Sequence, residues 1–439
     1  MHRNSPRCSS PPPPQSPAPL KTRHPMPLLC LGFALLCSSL PAEDLTTFRI
    51  TAPQPWQVLQ RSTTPPNTAT NNPPPLGSAI VLIQLTTDKT AKTGPNREIT
   101  AEYRILPASA NTPVHDAPTN TTSDLPWQTL KLQPDTNQHS QPDQPANSLH
   151  SAITVVAGGW YRLEVRLQQQ GQAPQITAVE PFGIGEVFLV AGQSYATNTN
   201  DEILHVTDPQ QRVAAFNWET GKWQLANDPQ PAPDRSNGGS IWPPVGDLLT
   251  RHLNLPVGFV NVAVGGTSTR QWMPAEPLSQ RLQQIGKQTA PFRAVLWQQG
   301  ESDVIEQTAA ADYVSRLQQI RSAACDVWQF SPPWFCALST HHPTVYNRPA
   351  EEHSIREAIT TVSRLPGFQL GPDTDSLRGE NRGDPKSRRH FSPLGQRNAA
   401  KLWADTLLKY LNSEHSQHST ANPAVPQTES TPQAKPPQQ

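Results

Sequence analysis

The chain has 439 residues, enough for two domains with a real core. Its formal net charge is zero, which leaves no electrostatic case for nucleic acid or an acidic membrane surface as a partner. Proline occurs 50 times, much of it at the ends and in the first half, so part of the chain is expected to be linker-like or disordered.

Residues 1–25 are rich in Ser and Pro with scattered Arg, Lys and His. A short apolar run, Pro27 to Leu40, follows Lys21, Arg23 and His24 and precedes Pro41-Ala42-Glu43. This is the layout of a secretory signal, too short to span a bilayer. Residues 1–42 are therefore expected to be a leader and signal peptide, with Met26 as an alternative start. The mature protein is expected to be exported, periplasmic or extracellular, with no integral membrane segment. Cleavage removes Cys30 and Cys37 and leaves Cys325 and Cys336, either bridged or as buried thiols.

Residues 43–181 contain short strand-like runs and no good helix. Phe48–Thr51, Ser78–Leu85, Glu98–Ile105, Trp127–Leu132, Ser151–Val156 and Trp160–Leu167 are rich in β-branched or aromatic residues, and several alternate apolar with polar. Pro/Asn/Thr/Gln-rich loops separate them. The pattern predicts a β-sandwich whose role is packing or carbohydrate contact.

Over residues 182–412 strands alternate with helices. Buried strands are expected at Val187–Val190, Phe259–Val264, Ala294–Trp297 and Trp334–Leu338. Helices are expected at Gly246–Leu253, Leu278–Gln288 and Ala309–Ala324. A last helix opens at Ser392-Pro393, with Trp403, Leu407, Tyr410 and Leu411 as its apolar stripe. The alternation predicts a parallel α/β sheet with helices on both faces. Residues 413–439 are polar and Pro/Gln/Ser-rich and are expected to be a disordered tail.

The polar, glycine-rich segments all follow strands, so they gather at one sheet edge, where open α/β sheets bind ligands. Gly192-Gln193-Ser194 delivers a serine there, and His390 lies on a loop just before the last helix. Ester hydrolysis needs a nucleophile, a base and donors for the oxyanion. Ser194 and His390 fill the first two roles. The Ser194 N–H, a glycine N–H at Gly265 or Gly266, and the Gln299 amide are candidates for the third. Taken singly, each has a plainer reading: a simple turn at Ser194, a surface or capping histidine at His390, a loop hydrogen bond at Gln299. Glu301 and Asp303 are either solvated or orient neighbouring loops.

The combination resembles the SGNH-hydrolase superfamily, specifically its sialate O-acetylesterase-like carbohydrate esterases. The resemblance rests on Gly192-Gln-Ser194, Gly265-Gly-Thr-Ser-Thr-Arg-Gln-Trp272, Trp297-Gln-Gln-Gly-Glu-Ser-Asp303 and His390-Phe-Ser392, and covers about Phe182 to Leu408. It implies a three-layer α/β/α, flavodoxin-like SGNH domain, preceded here by the β-sandwich, that removes acetyl groups from carbohydrate without a metal or organic cofactor. It maps Ser194 to the nucleophile, His390 to the base, and Gly266 and Gln299 to oxyanion donors. Tyr195, Arg270 and Trp272 are candidate walls of the sugar site.

Two departures stand out. Tyr195 replaces the Asn of the usual Gly-Gln-Ser-Asn, and Ser387 occupies the usual place of the triad acid, three residues before His390. Asp384 is the candidate acid, with Asp373 and Asp375 further back. The alternative is a Ser-His dyad with the ring oriented by a backbone carbonyl. Rival readings are an inactive carbohydrate-binding or scaffold protein of the same fold, or an esterase or thioesterase for a non-sugar substrate. The sequence leaves the particular glycan and the oligomeric state open.

Overall fold

Alternation of inward and outward residues makes the first part of the chain a two-layered β structure. Its strands are β1 (Phe48–Ala52), β2 (Val58–Gln60), β3 (Ser78–Thr87), β4 (Ile99–Ala108), β5 (Gln128–Thr129), β6 (Gln133–Pro134), β7 (Ser148–Val156) and β8 (Gly158–Gln169). The computed structural model describes residues 47–62, 76–87, 99–108, 125–134, 148–169, 173–341, 348–383 and 389–420, with side chains to residue 414. The expected signal peptide, Asp384, Ser387 and most of the expected tail lie outside these residues. One layer runs in the order β1-β3-β7-β6. The other pairs β4 with β5 and β8. Val81, Ile83 and Leu85 of β3 face Leu163, Val165 and Leu167 of β8 in a shared core. The intervening Ile80 and Leu82 point to solvent, as period two requires.

A single strand, β9 (Gln175–Gly192), joins this structure to the rest. Its first part pairs antiparallel with β8 through Ile184, and Glu186 to Gly192 then sits in a parallel sheet. The boundary expected at 181/182 falls inside β9, and the described residues belong to one compact unit. Fully buried Glu186 holds the join, paired with Arg61 at 2.6 Å and Arg293 at 2.7 Å. Burial alone raises the Glu186 carboxyl, but the two guanidinium groups outweigh it and hold it below the usual range.

The remaining strands are β10 (Val213–Asn217), β11 (Lys222–Leu225), β12 (Val257–Asn261), β13 (Ala294–Gln298), β14 (Trp334–Leu338) and β15 (Phe368–Asp373). The sheet order is β11-β10-β12-β9-β13-β14-β15, all parallel except the β10–β11 hairpin. Without that hairpin the order is the doubly wound, flavodoxin-like one, and it reverses at β9.

Helices α1 (Trp242–Leu253), α2 (Pro277–Thr289), α3 (Glu301–Ile305), α4 (Ala310–Trp328), α5 (Pro349–Val362) and α6 (Pro393–Thr420) complete the domain. Trp242 and Leu249 of α1 pack with Trp403 and Leu407 of α6 on Phe188, Val190 and Phe259. On the opposite face Leu282, Leu317 and Ile359, from α2, α4 and α5, pack on Val187, Leu189 and Trp297. The result is the expected three-layer α/β/α architecture. The sequence reading omits the β10–β11 hairpin, β15 and α5, and places β12 slightly late. Helix α6 also runs past the expected domain end at residue 412. Cys325 and Cys336 are both free thiols.

Strand β9 ends at Gly192, whose φ is +129°. A Cβ there would lie 2.1 Å from the Gln298 carbonyl oxygen, so only glycine permits this approach between β9 and β13. Gly192→Ala is expected to destabilise the fold by about 3 kcal/mol or more, from strain and overlap together. Gly159→Ala, with nothing within 4 Å of the added carbon, is the control and should stay within about 0.5 kcal/mol of the parent. Urea unfolding compares the two; equal midpoints would contradict this account of the turn.

Candidate active site

The carboxyl ends of β9, β12 and β13 enclose a cavity of about 330 Å³. Ser194 and Tyr195 after β9, Gly265 and Gly266 after β12, Glu301 and Ser302 after β13, and His390 before α6 all line it. A larger cavity, about 620 Å³, lies between α1 and α6 and is lined by residues such as Leu248, Arg251 and Leu408. It contains none of the sequence motifs, so chemistry rather than size selects the smaller one.

Ser194 begins a single 3₁₀ turn, Ser194–Ala196. Its carbonyl accepts from the Thr197 N–H and the Thr197 and Thr199 hydroxyls, which pins the turn. Among the described residues no acceptor takes the Ser194 N–H. Of the paired glycines, Gly265 donates its N–H to Asp234 Oδ2 at 3.0 Å and is thereby occupied. Gly266, at φ +70° with nothing within 4 Å of an added Cβ, has no acceptor among the described residues. Ser194 and Gly266 thus offer two backbone donors at one cavity.

The other motif residues brace one another behind this wall. Gln193 Oε1 accepts from the Ser302 N–H at 3.1 Å. Asp303 accepts from the Thr269 N–H and hydroxyl at 2.8 and 2.7 Å, and from Gln299 Nε2 at 2.6 Å. Asp303 therefore orients loops and is fully buried, not solvated. Gln299 is placed differently from the expectation. It is fully buried, does not line the cavity, and its amide also reaches the Thr267 carbonyl at 3.2 Å. An amide held by a carboxylate and a carbonyl braces the loops instead of facing an oxyanion.

Trp272 also departs from its expected place at the sugar site. It is fully buried, donates Nε1–H to the Thr267 hydroxyl and packs edge-on to Trp297 with ring centroids 5.3 Å apart. Arg270 is largely exposed, 3.6 Å from Glu306, which does line the cavity. Tyr195 lines the cavity but is only 2% exposed.

His390 sits on a short backbone ladder. Arg382 and Phe391 form an antiparallel bridge, and the Gly383 N–H donates to the His390 carbonyl at 2.8 Å. Of the more distant acid candidates, Asp373 is gripped at both oxygens by Arg356, at 2.9 and 2.8 Å. Asp375 accepts from Arg356, the Thr340 N–H and hydroxyl, and the His341 N–H. Both are committed to loop structure. Among the described residues no group of three or more His, Cys, Asp or Glu side chains is arranged to hold a metal ion.

Residues 184–371 match the sequence profile of the family described as carbohydrate esterase, sialic acid-specific acetylesterase. Over that segment the chain is similar to this family. The match supports a carboxylic-ester hydrolase, although the matched segment ends before His390. No curated protein sequence matches the chain. Among solved structures, a carbohydrate acetylesterase from Xanthomonas citri is 15% identical, with a TM-score of 0.45 over 82% of this chain and 74% of that one. An Arabidopsis thaliana protein is 18% identical, with a TM-score of 0.42 over 51% of this chain and 98% of its own. A carbohydrate acetylesterase from Sinorhizobium meliloti is 10% identical, with a TM-score of 0.35 over 51% and 99%.

At this candidate site Glu301 is buried against the cavity, and its Oε1 accepts from the Ser339 hydroxyl at 2.5 Å. Burial pushes its pKa from 4.5 up to about 8, and the neighbouring Asp375 charge acts in the same direction. A carboxyl raised on folding contributes stability that is complete below its unfolded pKa and is lost as pH rises through the folded one. Stability is therefore expected to fall between pH 4.5 and about 8. Glu301→Gln should flatten that slope, gaining on the parent as pH rises. Denaturation midpoints across this range check it, and parallel curves for the two proteins would contradict a neutral Glu301.

Proposed function

We propose that this carbohydrate esterase removes O-acetyl groups from a glycan through Ser194 and His390 and an acetyl-enzyme intermediate. The observation that carries the reading is their meeting at one cavity with the N–H groups of Ser194 and Gly266, which no acceptor among the described residues takes. A serine hydroxyl is inert at neutral pH without a base, and an acetyl carbonyl resists attack unless its developing charge is received.

The steps follow from these groups. Ser194 Oγ attacks the acetyl carbonyl carbon while His390 takes its proton, and the Ser194 and Gly266 N–H groups receive the oxyanion. Collapse breaks the bond to the sugar oxygen, which leaves with the proton from His390. Water, deprotonated by His390, then attacks the acetyl-enzyme, and acetate departs as Ser194 regains its proton. Gly266 is favoured over Gly265 because the Asp234 carboxylate occupies the Gly265 N–H. Gln299 supports the donors by bracing the Thr267 and Asp303 loops.

The family description makes O-acetylated sialic acid the first glycan to test, with acetylated xylan as the neutral comparison. Acetate release is expected from the parent, with a loss on the order of 10³-fold or more in both Ser194→Ala and His390→Ala. Sugar binding without acetate release by the parent would instead favour a binding-only protein. Full turnover by Ser194→Ala would remove the nucleophile from this mechanism.

A further inference from the structure

Tyr195 stands where the family's motif has an asparagine, immediately after the nucleophile. Its hydroxyl donates to the backbone carbonyl of Arg389, the residue before His390. Its ring meets the His390 imidazole edge-on at 5.4 Å and 69°, and packs on Phe391 at 4.7 Å on the other side of the histidine in sequence. One side chain on the serine turn thus touches three consecutive residues of the histidine segment.

Arg382 completes the clamp. Its guanidinium lies 4.9 Å from the Tyr195 ring centre and 4.8 Å from that of Phe391. It donates to the Leu377 carbonyl at 2.5 Å and the Thr374 carbonyl at 2.9 Å, and reaches the Arg389 carbonyl at 3.3 Å. Asn200, also on the serine side, accepts from the Phe391 N–H at 3.1 Å. Burial keeps the Tyr195 hydroxyl protonated, so it remains a donor at working pH.

We propose that Tyr195 is a positioning residue, tying the turn that carries Ser194 directly to the segment that carries His390 and so setting the base against the nucleophile. This rests on His390 being the base. General-base transfer demands placement within hydrogen-bond reach, and displacement by a fraction of an ångström to an ångström is costly in rate. A triad acid fixes the imidazole from the side away from the serine. The Tyr195 clamp fixes its backbone from the serine side, in a chain whose position 387 lacks the usual carboxylate.

The test compares Tyr195→Phe, which removes only the hydroxyl, with Tyr161→Phe. Tyr161 also donates to a backbone carbonyl, that of Val156, at 2.8 Å in the N-terminal β structure. Both lose one hydrogen bond, but only the first should lower kcat on 4-nitrophenyl acetate. The expected fall is about tenfold or more, with KM within about twofold. Equal kcat in parent and Tyr195→Phe would overturn the proposal, as would an equal fall in Tyr161→Phe. Parent and His390→Ala are assayed alongside. An active His390→Ala or an inactive parent defeats the underlying mechanism instead, which keeps the two failures distinct.

Discussion

The placement of the candidate site depends on the crossing of two backbones at Gly192 and Gln298. A Cβ on Gly192 would stand 2.1 Å from the Gln298 carbonyl, and the Gln193 N–H donates to that same oxygen at 2.9 Å. The contact sets where β9 stops relative to β13 and therefore where Ser194 emerges. Strand β9 is also the point at which the sheet order reverses, where doubly wound sheets open a crevice. The same strand carries Glu186, whose pairing with Arg61 and Arg293 fastens the N-terminal strands to the esterase sheet. One strand thus connects the accessory β structure to the reaction site without a flexible linker.

Around that strand, the polar motif residues divide into those that face the cavity and those that hold them. Asp303, Gln193 and Gln299 form a buried network that fixes the Gly265–Thr269 segment and the start of α3. Asp234 fixes Gly265 from the opposite side. Bonds to the Asp303 carboxylate are charge-assisted, and their low-dielectric setting strengthens them. The cavity then needs few groups of its own. In the proposed reaction, backbone N–H donors at Ser194 and Gly266 supply polarity without flexible side chains, so little rearrangement accompanies charge development.

Much of the sheet was legible because a strand covered on both faces must read as a short apolar run, as Val187–Val190 and Trp334–Leu338 do. Strand β15 was not, since Gly371 and Pro372 within Phe368–Asp373 mimic a loop. Hairpin strand Val213–Asn217 is brief and alanine-rich and lacks a β-branched signature beyond its first residue. Helix α5 did carry its signal, with Ile355, Ala358, Ile359 and Val362 spaced for one buried face.

At the site, the sequence reading picked out Ser194, Tyr195, Gly266 and His390, which line one cavity, but not the places of Gln299 and Trp272. Trp272 is as compatible with a sugar platform as with a core, and only packing on Trp297 decides. The direction of the Gln299 amide follows from a carboxylate four residues later, whose orientation no local pattern encodes. The departure at Tyr195 was visible, but its partner, the Arg389 carbonyl, lies 194 residues away.

The central claim is that Ser194 becomes nucleophilic only because His390 shares its cavity. Covalent labelling by a diethyl phosphate ester, read by intact mass and peptide mapping, tests it most directly because it needs no knowledge of the glycan. The account predicts one diethylphosphoryl group, on Ser194, forming at least about a hundredfold more slowly in His390→Ala. Labelling at another residue, or at Ser194 with an undiminished rate in His390→Ala, would contradict it.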